Sequence, residues 1–164
     1  MLRFALPAFI LFLIMAPLAW AGNITLALSD SGGPYAEFAV TLSNALEDTP
    51  WKITATGKPE TIDPAATRPD LIVTAGSDAF RQMLVRGGNT PLIATLLPRQ
   101  SYEKILAEAG KGRSRISAIY LDQPATRQAN FLRQLLPGQK RIGMLLSNET
   151  RPLASQYRAA FNNA

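Results

Sequence analysis

The sequence predicts an α/β fold: a mostly parallel sheet with helices on both faces. Three observations predict it. Short, continuous apolar runs recur along the chain, as in strands buried on both faces. Stretches with apolar residues at helical spacing alternate with them. Gly, Pro, Ser or Asp separates nearly every run from its neighbour. Hydrophobic residues make up 47% of the 164 residues and charged residues 18%, a balance that can bury a core and is unlike a disordered chain.

The elements follow in order. Ile24 to Leu28 is a buried strand, broken by Ser29-Asp30-Ser31-Gly32-Gly33-Pro34. Pro34 to Glu47 is a helix with Tyr35, Phe38, Ala39, Leu42, Ala45 and Leu46 on one face. Trp51 to Ala55 alternates like a half-exposed strand, and Gly57 to Pro69, with three prolines, is a surface connection. Asp70 to Ala75 is a second buried strand. Gly76-Ser77 turns it into a helix bearing Phe80 and Leu84, closed by Gly87-Gly88. Pro91 to Leu97 is a third. Ser101 caps a helix with Tyr102, Ile105, Leu106 and Ala109, ended by Gly110. Ile116 to Leu121 is a strand, and Asp122 caps a helix from Ala125 to Leu136, stopped by Pro137-Gly138. Arg141 to Leu146 is a further strand. Thr150 and Pro152 open a last helix with Leu153, Tyr157 and Phe161.

The start of the chain is an export signal. Arg3 gives a positive n-region, Phe4 to Leu18 is apolar, and Ala19-Trp20-Ala21 has the small-x-small pattern of a cleavage site. Residues 1–21 are the signal peptide, with cleavage between Ala21 and Gly22. An uncleaved anchor is the other reading, but the stretch falls short of the roughly 20 residues a bilayer requires, and Pro7 and Pro17 interrupt it. The mature chain is expected to be periplasmic and not membrane-spanning.

Two absences exclude whole chemistries. Without Cys there is no disulfide, thiol nucleophile or Cys-ligated metal. Without His there is no imidazole base or ligand. Carboxylate sites for magnesium or calcium remain open in principle, but the 12 acidic residues form no dense cluster. No Gly-x-Ser-x-Gly elbow is present either, so no catalytic residue, metal site or cofactor is expected. The net charge is +5, yet Lys and Arg are mostly scattered. The dense run Lys111, Arg113 and Arg115 reads as a solvated loop, and no nucleic-acid partner is expected.

Parallel sheets bind ligands at the carboxyl ends of their strands. The ligand-binding candidates are therefore Ser29, Asp30, Ser31, Gly32, Gly33, Gly76, Ser77, Pro98 and Asp122. Glycines let backbone approach a ligand, and free amides at a helix start attract an anion. The alternative for the serines and for Asp122 is helix capping. Asp78 reads as a first-turn carboxylate or an amine contact, Arg99 as surface or a carboxylate clamp, and Tyr35 as core or a stacking ring.

The run Asn130-Phe131-Leu132-Arg133-Gln134-Leu135-Leu136-Pro137-Gly138-Gln139-Lys140-Arg141-Ile142-Gly143-Met144-Leu145 resembles the helix-LLPG-KRIG-strand segment of ABC transporter substrate-binding proteins. These have the type I periplasmic fold and include TrpX-like tryptophan and tyrosine binders. Asp70 to Ala79 and Thr90 to Ala94 resemble earlier strands of that family, with Asp78 standing where the family usually has Pro. The loop Leu97-Pro98-Arg99-Gln100 lacks the family's Ser-Asp-Pro, which leaves the ligand class open. The resemblance implies a two-lobed solute-binding protein that closes on a small organic ligand, such as an amino acid, and delivers it to an ABC transporter permease. It makes residues 22–122 the first lobe, and residues 123–164 a hinge helix and the first βα unit of an incomplete second lobe. A sensor or regulatory protein on the same fold, or a single-lobe envelope protein without ligand, is the competing expectation. The pattern stopping at Ala164 is expected of a piece of a longer protein, with a naturally short domain ending on a docked helix as the alternative.

Overall fold

A computed structural model describes residues 21–110, 115–139, 141–148 and 150–162. The expected export signal up to Trp20 and the expected loop from Lys111 to Ser114 lie outside the described residues. Five strands form one sheet: β1 (Gly22–Leu28), β2 (Trp51–Gly57), β3 (Leu71–Ala75), β4 (Leu92–Leu97) and β5 (Ile116–Tyr120). Every pairing is parallel, in the order β2-β1-β3-β4-β5. The chain first moves from β1 to β2 at one edge. It then returns past β1 to β3 and winds the other way, so connections diverge between β1 and β3.

The strands bury residues on both faces, which is why they read as continuous apolar runs. On one face Ile24, Leu26, Leu28, Val73 and Ala75 meet α1 (Gly33–Ala45) through Tyr35, Phe38, Ala39 and Leu42, with Leu46 just beyond its end. Ala45, expected on that stripe, is exposed. On the other face Ala27, Ile72, Leu92, Ala94 and Leu97 pack under α3 (Ser77–Arg86) and α4 (Arg99–Ala109), through Phe80, Met83 and Ile105. A bulge late in β4 puts Leu96 at φ +52° and shifts the pairing with β5. Leu96 thereby joins the α1 face while Leu97 stays in the opposite core.

The segment expected as a surface connection is more built than that. It contains a 3₁₀ turn (Pro59–Thr61) and a short helix, α2 (Pro64–Thr67), whose first turn Asp63 caps by accepting from the Ala65 amide at 3.0 Å. Ile62 enters the core, and the Arg86 guanidinium donates to the carbonyls of Pro59 and Ile62.

Beyond β5 stand α5 (Ala125–Leu135) and α6 (Ala154–Asn162), which pack on each other. Ala129 and Ala160 are buried, Tyr157 Oη donates to Gln128 Oε1 at 3.1 Å, and Arg133 donates to the Phe161 carbonyl at 2.7 Å. The expected strand Arg141 to Leu146 is absent: the segment is irregular. A strand exists only by pairing, and no described strand lies beside this run to accept its hydrogen bonds.

Candidate functional site

The carboxyl ends of β1 and β3 flank the divergence point, where doubly wound sheets open a crevice. Three strand ends are tied together here. Ser29 N–H donates to Ala75 O at 2.9 Å, and Gly76 N–H donates to Thr95 O at 2.8 Å. Ser29 Oγ accepts from the Ala79 amide at 2.9 Å. Ala79 is the third residue of α3, so the β1 serine caps the helix that follows β3. Gly76, at φ +92°, is buried against this junction, and the half-buried Tyr35 ring closes its far side.

The other candidates beside β1 are exposed. Asp30 Oδ1 accepts from the Ser31 amide at 2.7 Å and lies 3.7 Å from Lys58 Nζ. Gly32 is the N-cap of α1, with no side-chain cap, and Gly33 takes φ +55°. Both face open space. Ser77 opens α3 without capping it, because Gly76 holds the cap position.

A cleft of about 330 Å³ lies beside this junction, bounded by Ser29, Lys58, Glu60, Asp78, Arg81 and Gln82. Three of its charges are engaged already, Lys58 by Asp30. Arg81 pairs with Glu108, and Glu60 accepts from the Gln82 amide. That hydrogen bond, aided by the Glu60 amide, holds the Glu60 carboxyl below the usual carboxylate range. Asp78 forms no ion pair among the described residues. The cleft therefore offers one carboxylate without an ion pair, Asp78, and one cation, Lys58, that already faces Asp30. Lys58, Glu60 and Arg81 were not foreseen as lining it, since they converge from β2's connection and from α3 only in the fold.

Pro98 and Asp122 belong to a second group, at the ends of β4 and β5. Pro98 is the N-cap of α4, and Asp122 Oδ2 accepts from the Arg99 amide. Asp122 was expected to cap the following helix. It caps α4 instead, while α5 starts from Pro124 without a side-chain cap. Ser101 was expected as the α4 cap and lies inside the helix, which starts earlier, at Arg99. The Arg99 guanidinium is held by Glu103 at 3.0 Å and sits 5.5 Å over the Tyr120 ring. Tyr120 meets Tyr102 edge-on at 5.5 Å, and Tyr102 stacks on Phe80 at 5.2 Å. Burial, reinforced by Tyr120, pushes the Tyr102 hydroxyl above its ordinary range. A hollow of about 460 Å³ opens here between Arg99, Tyr120, Asp122 and Tyr157.

The nine candidates thus form two groups rather than one site. Wider hollows lie elsewhere. One of about 830 Å³ is at the amino ends of the strands, beside Trp51 and Arg115, and one of about 770 Å³ lies between α6 and the run from Gln139 to Leu146. The strand-end rule favours the smaller cleft at the divergence point, where backbone amides and helix starts converge. No three carboxylates gather as a cation site among the described residues, and none of their helices is long and apolar enough to cross a membrane. No family model, curated protein or solved structure matches this chain.

Proposed function

We propose that this chain is an exported solute-binding protein, or a lobe of one, that captures a small organic ligand in the periplasm for an ABC importer. One observation carries the reading. Asp78 and Lys58 both line the cleft beside the β1–β3 divergence, whose volume of about 330 Å³ suits a small metabolite. A zwitterion such as an amino acid matches it, its ammonium on Asp78 and its carboxylate toward Lys58. No bond is made or broken in this role, and the partner in delivery is the importer's permease. The resemblance of Asn130 to Leu145 to substrate-binding proteins supports the same reading.

The cleft is open to solvent. Tight sites enclose about 70–90% of their ligand, and an open cleft encloses less. Ligand-observed NMR with a panel of amino acids is the test. The expected result is weak binding to the purified chain, with a dissociation constant of about 1 mM. Asp78→Asn is expected to remove it. Absence of binding by every zwitterion, or binding indifferent to Asp78→Asn, overturns the assignment.

A further inference from the structure

Residues 123–164 contain six Lys or Arg and a single carboxylate, which accounts for the whole net charge of +5. The exposed apolar surface gathers in and just before the same region. Of eleven large hydrophobic residues exposed among the described ones, eight lie between Ile119 and Leu145. Within it Arg141 to Leu146 is an apolar run that forms neither helix nor strand. None of its backbone amides or carbonyls hydrogen-bonds to another described residue. Leu145 is fully exposed, and Ile142 and Met144 are partly so. The run borders the hollow of about 770 Å³, whose walls include Tyr157 and Phe161 and whose cations are Arg133, Arg141 and Arg158. Arg133 is engaged with the end of α6. Arg141 and Arg158 form no ion pair among the described residues.

We infer that Arg141 to Leu146 is a strand-addition site for an extended polypeptide segment that alternates apolar and acidic residues. Backbone groups without partners beside an apolar wall are what an added strand satisfies. Its apolar side chains fill the hollow, and its carboxylates meet Arg141 and Arg158. Three other occupants fit less well. A lipid surface leaves the backbone groups unpaired. A nucleic acid brings no side chains for the apolar wall. A second copy brings the same excess of positive charge.

The probe is a short, end-capped, fluorescent peptide alternating valine and glutamate, followed by anisotropy on the purified chain. Binding is expected, and Arg141→Glu is expected to weaken it about tenfold. Met144→Pro, which removes a backbone donor without touching a helix, is expected to abolish it. Helical circular dichroism checks that both variants keep their fold. A lysine-for-glutamate peptide that binds equally well overturns the proposal, as does equal binding by a twin N-methylated at alternate residues. Preferential capture of phosphatidylglycerol vesicles, or a dimer in ultracentrifugation that excludes the peptide, also overturns it.

Discussion

At Gly76 a Cβ would stand 2.5 Å from Ser29 Oγ and 2.8 Å from Tyr35 Cε1, on a backbone already at φ +92°. Only glycine meets both demands. Gly76→Ala is expected to destabilise the fold by about 1–3 kcal/mol, read as a lower denaturant midpoint at unchanged slope. An unchanged midpoint would mean that the Ser29–Gly76–Tyr35 junction relaxes freely. The sequence marked Gly76 as a strand-end turn. It could not reveal why the position excludes a side chain, because Ser29 and Tyr35 are over forty residues away in the chain. The same distance hid Ser29's partner: a serine after a strand looks like the cap of the next helix, yet its hydroxyl serves α3.

Among the elements, α4 and the run Arg141 to Leu146 are instructive. A residue three positions before a helix looks like its cap, but Asp122 serves the helix behind it, because adjacent parallel strands bring the end of β5 beside the start of α4. Asp122→Ala is therefore expected to fray α4 and cost about 1 kcal/mol. Faster amide exchange in the first turn of α4, with α5 unaltered, is the signature. The reverse pattern would restore the local reading. Arg141 to Leu146 has a strand's composition, and composition is all that a local reading sees. Pairing is what makes a strand, and no described neighbour supplies it.

For the molecule as a whole, stability is expected to be uneven. Leu26, Ile72 and Leu92 lie fully buried in the three central strands, whereas α5 and α6 pack chiefly on each other. Hydrogen exchange should then be slowest in β1, β3 and β4 and markedly faster in α5 and α6. Equal protection of α5 and β3 would show that the helix pair belongs to the same cooperative unit as the sheet.

The sequence by itself determined the α/β class, the five strands with the helices α1 and α3 to α6, and the stripes that α1, α3 and α4 bury. These follow from periodicity and turn residues within a dozen positions, where local physics decides. It also determined the absence of Cys and His, and with it the chemistries this chain forgoes. Only the tertiary structure decided the strand order, the insertion of Ile62 into the core, the cross-capping by Ser29 and Asp122, and the split of the nine candidates into two groups. Each of those depends on which distant segments become neighbours, and burial and hydrogen bonding between such segments leave no pattern in the local sequence.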